Sequence, residues 1–106
     1  MSHCREAAIC VLSKRPVGVD IESIREYKES LAHYTMSDEE LERIASAERP
    51  DVEFTRLWTM KEAVLKRSGE GLRTDMKTVL KDAVGLTTVV NIKRGYVYSV
   101  AESFDI

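Results

Sequence analysis

The feature that most constrains the fold is a helix-start signal near the middle of the chain. Ser37 is followed three residues later by Glu40, a capping box, and acidic residues fill the first turn, where they face the positive end of a helix dipole. This pattern predicts a helix that runs to about Ala47 and is stopped by Pro50. The positions predicted to face the core are Leu41, Ile44 and Ala45.

A longer helix is predicted directly afterwards, over residues 52–67. Asp51 is placed to cap its start, and Gly69 and Gly71 end it. At about 100° per residue, one apolar stripe runs along this helix: Phe54, Leu57, Trp58, Val64 and Leu65. Lys61 falls near the middle of the stripe, where an ammonium group is costly unless its stem snorkels to water or its head meets an acid.

Strand-like segments lie towards both ends of the chain: residues 6–12, 16–22, 87–92 and 96–102. Short turn segments, 13–15 and 93–95, separate the members of each pair, so two hairpins are predicted. Residues 23–31 are compatible with a short helix or an irregular connection, and residues 76–84 fit neither a helical nor a strand period. The predicted class is α+β, an antiparallel sheet with helices packed on one face.

Composition and length predict one ordinary globular domain over residues 1–106, with 43% apolar and 7% aromatic residues. Sixteen Lys and Arg against 18 Asp and Glu leave a formal charge of −2, which favours neither a nucleic-acid nor a membrane-surface partner. No apolar run approaches the roughly 20 residues of a membrane span, and no signal-peptide pattern is present. Cys4 and Cys10 are six residues apart in a segment that reads as extended, too far apart to bridge, so free thiols in a reducing cytoplasm are expected.

Two acids share one face of the second predicted strand. Val19 and Ile21 alternate with Asp20 and Glu22, so the two carboxylates project side by side while the aliphatic residues enter the core. Adjacent carboxylates repel, so either one has a raised pKa or a cation lies between them. Hard carboxylate oxygens suit Mg²⁺. The alternative is a solvated acidic edge, and the short Asp-x-Glu pattern taken alone favours that alternative because it is common.

The long helix places more charge near its apolar stripe. Glu62 and Lys66 stack one turn apart at the edge of the stripe, next to Trp58. Taken alone they predict a surface ion pair worth a few tenths of a kcal/mol, and Lys61 alone is compatible with a snorkelling stem. Together with the two strand acids, however, one acid and two cations on a neighbouring helix suit a metal-bound diphosphate. These residues do not identify the substrate.

The same residues resemble the signatures of the 4′-phosphopantetheinyl transferase superfamily. Residues 18–22, Gly-Val-Asp-Ile-Glu, resemble its Gly-[Val/Ile]-Asp-x-acid motif, and residues 58–66 resemble its Trp/Phe-x-x-Lys-Glu-Ala-x-x-Lys motif. Residues 69–72 are similar to the Gly-x-Gly-Leu that commonly follows. Residues 2–3 resemble the Ser-His that precedes the Asp motif in the surfactin-synthetase-activating type. The motifs occur in the family's order and cover nearly the whole chain.

The resemblance implies a transferase that moves 4′-phosphopantetheine from coenzyme A to a serine of an acyl or peptidyl carrier protein and releases 3′,5′-ADP. It implies three ligands for Mg²⁺ on the coenzyme A diphosphate: Asp20, Glu22 and Glu62. It implies two catalytic residues, a base for the serine proton and a cation for the departing 3′,5′-ADP: Glu62 and Lys66. It implies three residues that bind coenzyme A or balance its charge: His3, Lys61 and Lys66.

Members of the family with these motifs normally carry two similar subdomains, and this chain resembles the second. The first usually supplies basic residues for the 3′-phosphate of coenzyme A and part of the adenine pocket. We therefore expect either a fragment or divergent half, or a homodimer that rebuilds the cleft, with Trp58 and Ile9 as candidates to line the interface. Two alternatives remain: a non-catalytic half-domain that binds a carrier protein or partner subunit, and an unrelated Mg²⁺-dependent phosphoesterase. The sequence does not indicate whether the carrier protein belongs to fatty-acid, polyketide or nonribosomal-peptide synthesis.

Overall fold

The structure is a computed structural model that describes residues 2–4, 8–9, 16–69, 75–81 and 83–102. Its elements, in chain order, are β1 (Ser2–His3), β2 (Ala8–Ile9), β3 (Val17–Ser23), α1 (Glu29–Thr35), α2 (Asp38–Ser46), α3 (Pro50–Ser68), β4 (Leu86–Asn91) and β5 (Tyr96–Glu102). Among these, none of the helices has both the length and the apolar character needed to cross a bilayer. The predicted α+β class is confirmed.

The central sheet has the antiparallel order β3-β5-β4. The predicted second hairpin is confirmed as β4 and β5, and Gly95 in its loop has a φ of +78°. Among the described residues, β2 pairs with β1 and β3 pairs with β5; most of the first strand of the predicted first hairpin lies outside these residues. Its predicted turn at 13–15 lies outside the described residues, as do Cys10 and Gly71.

The capping box forms as predicted. The Glu40 backbone N–H donates to the Ser37 hydroxyl at 3.2 Å, and the Ser37 N–H donates to the Glu40 carboxylate at 2.8 Å. Ile44 is buried, and Leu41 is partly buried against the core cluster. Ala45 was expected in the core but is exposed, because it lies about 100° further round the helix than Ile44.

The long helix begins at Pro50, two residues before the predicted start at residue 52. Pro50 opens α3 at its first position, and Arg49 is the N-cap. Proline is tolerated there because its missing N–H would have no partner within the helix. Asp51 lies inside the first turn and pairs with Arg49 at 2.9 Å, so it is not the cap. Gly69 ends the helix as predicted, with a φ of +73°.

The face of β3 that carries the acids packs against α3. A methyl group added at Gly18 would overlap the carbonyl oxygen of Ala63 on α3, so the strand and helix meet only because this residue is glycine. Further along the pair, the hydroxyls of Thr59 and Ser99 bond at 2.9 Å, and Ser99 lies opposite Asp20 in the sheet. The acids were expected to project away from the core, but α3 covers the face of β3 that carries them.

Candidate active site

Asp20 is the centre of the candidate site. Only 3% of its surface is exposed. Its Oδ1 atom accepts from the Lys66 ammonium at 3.0 Å and from the Ser2 hydroxyl at 3.5 Å. Its Oδ2 atom is buried and has no hydrogen-bond partner among the described residues. A buried carboxylate oxygen without a partner is costly, so an additional cation or hydrogen-bond donor on this carboxylate would be favourable.

The pKa of Asp20 also indicates that its negative charge is incompletely compensated. Burial raises its pKa from an ordinary value of 3.8 to about 7, the Lys66 hydrogen bond opposes this rise, and the charges of Glu22 and Glu62 add to it. Near neutral pH the carboxyl group therefore has a substantial protonated fraction. A bound cation would favour the ionised form.

Glu22 and Glu62 lie close enough to Asp20 for their charges to act on it. Glu62 is half-buried, and burial raises its pKa above the ordinary range, while the Lys66 charge lowers it and the Glu22 charge raises it. Within the described ranges, no three His, Cys, Asp or Glu side chains already stand in the geometry of a metal site. The three acids share one electrostatic environment, and their joint ligation of a metal stays a prediction.

Lys66 bridges the helix and the strand. The helical spacing alone favoured a surface pair with Glu62, but the ammonium of Lys66 pairs with Asp20, on a different element. Its side chain is 43% exposed, whereas that of Asp20 is 4% exposed. One end of this ion pair is therefore fixed and the other is accessible to solvent.

Lys61 is placed differently from the coenzyme A-binding role expected of it. The residue is fully buried, its ammonium donates to the Glu40 carboxylate at 2.8 Å, and it also donates to the Met76 carbonyl oxygen. Its head meets an acid, so the snorkelling alternative is wrong. Because Glu40 balances its charge, this geometry gives no support to a direct contact between Lys61 and coenzyme A. Sequence reasoning identified Glu40 as the capping-box acid but missed its pairing with Lys61, although a buried lysine requires an acid and Glu40 lies in the first turn of α2.

The expected contribution of the N-terminus is described only in part. Ser2 and His3 form β1, and the Ile21 backbone N–H donates to the Ser2 hydroxyl at 3.0 Å, which places the start of β1 beside the strand that carries Asp20. The side chains of His3 and Ile9 lie outside what the structure describes, as does the rest of the Gly-x-Gly-Leu motif after Gly69.

Two cavities flank the acids. One of about 840 Å³ includes Glu22 in its wall, and one of about 550 Å³ includes Glu62 and Lys66. The two cavities share three lining residues: Leu31, Tyr34 and Trp58. Sequence reasoning identified Trp58 but missed the two α1 residues, because the polar stretch before α1 hid the start of that helix.

Residues 16–103 match the family described as the 4′-phosphopantetheinyl transferase superfamily. The chain belongs to this superfamily, and the match includes both the acid-bearing strand and the long helix.

Similar proteins include three 4′-phosphopantetheinyl transferases. The gsp protein of Aneurinibacillus migulanus is 33% identical over 92 residues, which is 85% of this chain and 39% of the relative. The psf-1 protein of Bacillus pumilus is 35% identical over 74 residues, 68% of this chain and 32% of the relative. The HetI protein of Nostoc sp. is 36% identical over 77 residues, again 68% and 32%. The chain therefore spans about a third of the length of these relatives.

Proposed function

We propose that this chain is the catalytic subdomain of an enzyme that transfers 4′-phosphopantetheine from coenzyme A to a carrier-protein serine, with Mg²⁺, releasing 3′,5′-ADP. The observation that carries the proposal is the buried Asp20 carboxylate, which lies beside two further acids and Lys66 and has one oxygen without a partner among the described residues. Family membership supplies the substrate class. Because coenzyme A and carrier proteins are cytoplasmic substrates, the proposal includes a cytoplasmic location.

The residues present fit a hard divalent cation in their chemistry. Carboxylate oxygens are the ligands that Mg²⁺ prefers, and it usually completes its shell with water and phosphate oxygens. The Oδ2 atom of Asp20 has no donor to lose when a cation approaches. Glu22 and Glu62 are only partly buried, so their side chains can turn towards the cation. Asp20, Glu22 and Glu62 are therefore our proposed ligands.

Each residue of the site has a proposed part in the transfer. Asp20, Glu22 and Glu62 would hold the Mg²⁺, which would supply polarisation of the β-phosphoryl group and neutralisation of the charge that develops there. Glu62, or a water that it orients, takes the proton from the carrier-protein serine, a role favoured by a carboxyl pKa closer to neutral pH. Lys66 binds a diphosphate oxygen and stabilises the departing 3′,5′-ADP. His3 contacts the coenzyme A phosphates, and Lys61 positions α3 through Glu40 without touching the substrate.

A non-catalytic half-domain is the second candidate. The observation that favours it is length, because the relatives with this activity are about three times as long as the segment they share with this chain. In that case the same surface would bind a carrier protein or a partner subunit. A homodimer, or a separate first subdomain, would supply the second wall of the cleft if the chain is catalytic.

Mass spectrometry of an apo carrier protein tests the proposal. The carrier is incubated with the chain, coenzyme A and Mg²⁺, and the expected result is a gain in mass of one phosphopantetheine. The Glu62→Gln variant is the matched control, since it keeps the size of the side chain and loses the base. No gain with the chain alone, and none after a first-half polypeptide is added, would favour the non-catalytic half-domain.

A further inference from the structure

We propose that the Lys66 ammonium group neutralises Asp20 while no metal is bound, and that a divalent cation must displace this ammonium group before the site can work. The inference rests on the proposed function, because it concerns the same carboxylate. It assigns Lys66 two successive partners: Asp20 before the cation binds, and a diphosphate oxygen afterwards.

The contact geometry fits a displaceable ion pair. The Lys66 ammonium lies 3.0 Å from Oδ1 of Asp20. The carboxylate is buried and fixed by the strand, whereas the lysine side chain is 43% exposed and reaches the carboxylate from the edge of α3. Because the lysine end is in contact with water, the ammonium group can be solvated as it leaves Asp20, while the Asp20 end stays in place.

The two cations exclude each other at this carboxylate. A divalent ion bound to Asp20 would lie within a few ångströms of the ammonium group, and like charges at that distance repel strongly away from bulk water. The Oδ2 atom is buried and has no hydrogen-bond partner among the described residues, so an ion that binds this carboxylate displaces no described donor from Oδ2. Repulsion between the ion and the ammonium group then moves the ammonium group off Oδ1.

A cavity beside Lys66 can hold the displaced ammonium group. Lys66 and Glu62 both line the cavity of about 550 Å³ beside the site. The released ammonium group can occupy this cavity, which also borders Glu62, one of the proposed metal ligands. Cation binding would therefore free Lys66 for a diphosphate oxygen, and the strength of the ion pair would set the concentration of free cation that this requires.

Direct Mn²⁺ binding tests this competition without any substrate. Mn²⁺ prefers the same oxygen ligands as Mg²⁺, and its free concentration can be followed by electron paramagnetic resonance. Lys66→Gln should bind Mn²⁺ on the order of tenfold more tightly than the wild-type chain, which corresponds to one charge-assisted contact. Arg56→Gln is the matched control, because it removes one positive charge from the same helix, where Arg56 pairs with Glu53 at 2.9 Å. It should leave Mn²⁺ affinity within about twofold, the scale of an exposed pair.

Each outcome decides the inference. Equal or weaker Mn²⁺ binding by Lys66→Gln overturns it, and so does an equal gain in Arg56→Gln, which would indicate a general charge effect. Unchanged Mn²⁺ binding in Asp20→Asn would overturn both the metal site and the inference. Tighter Mn²⁺ binding by Lys66→Gln, with no transfer activity in the wild-type chain, would support the displacement and count against the proposed function. Circular dichroism of each variant checks that the fold is retained.

Discussion

At Asp20, the same feature that suits the site for a cation lowers the stability of the cation-free chain. Burial raises the pKa of this carboxyl group from 3.8 to about 7, so between those values the folded chain keeps a proton that the unfolded chain has lost. The free energy of unfolding therefore falls as pH rises from about 4 to 7. An uncharged side chain of the same shape would not show this fall.

The Asp20→Asn variant should match the wild type in stability near pH 4 and exceed it above pH 7, because it removes a charge that burial disfavours. Its transfer activity should be lost. Urea unfolding with EDTA at pH 4.5, 6 and 7.5 measures the difference between the two chains, which includes the change in the Glu22 and Glu62 interactions that follows loss of the Asp20 charge. Parallel pH profiles would contradict the assignment.

Lys61 is expected to contribute to stability through its partner. Removing one member of a buried ion pair leaves the other without compensation, at a cost of roughly 3 kcal/mol. Lys61→Met should therefore lower the free energy of unfolding by about that amount, and adding Glu40→Gln should restore much of it, since Gln can still accept from the Ser37 N–H. A double-mutant cycle of thermal unfolding measures the coupling. Additive losses would show that the pair is not coupled.

At the scale of elements, the approach of β3 to α3 determines how the strand acids meet the helix residues. Gly18→Ala should destabilise the chain by about 3 kcal/mol, because the new methyl group would overlap the backbone of α3 at Ala63 and Arg67. Gly69→Ala is the comparison, since no described residue lies within 4 Å of its added methyl group and its φ of +73° opposes the change, at about 1 kcal/mol. Thermal unfolding of both variants gives the ranking, and the reverse ranking would refute the close packing.

Local signals explain which elements could be predicted from the sequence. The capping box, the glycine helix end and the β4–β5 hairpin each depend on a few neighbouring residues, and each was predicted. Asp51 was wrongly assigned as the cap of α3, because Pro50 both follows the end of one helix and opens the next. On the candidate site, strand alternation identified Asp20, but the Lys61–Glu40 pair joins two helices, and no local pattern specifies such a contact.

At the scale of the molecule, the candidate site lies beside an exposed apolar surface on α1. Tyr34 is 79% exposed and Leu31 is 40% exposed, and both line the cavities that flank the acids. A second set of exposed aliphatic side chains lies along β4 and its connections: Val84, Val89, Val90 and Ile92. The chain spans about a third of its relatives' length, and the second wall of the proposed cleft could pack on either surface.

We expect the α1 surface to be the interface, because it adjoins the acids and the coenzyme A cleft needs a second wall there. Tyr34→Glu should then convert a homodimer into a monomer in sedimentation velocity at micromolar concentration, with a change in unfolding free energy of only about 0.5 kcal/mol, as for other exposed positions. Ile92→Glu, on the β4–β5 turn, should leave the dimer intact. Dissociation by Ile92→Glu alone would move the interface to β4. A wild-type chain that stays monomeric without aggregating would refute the homodimer. A chain that aggregates, or that binds coenzyme A only when a first-half polypeptide is added, would instead identify the same surface as the contact with a first subdomain.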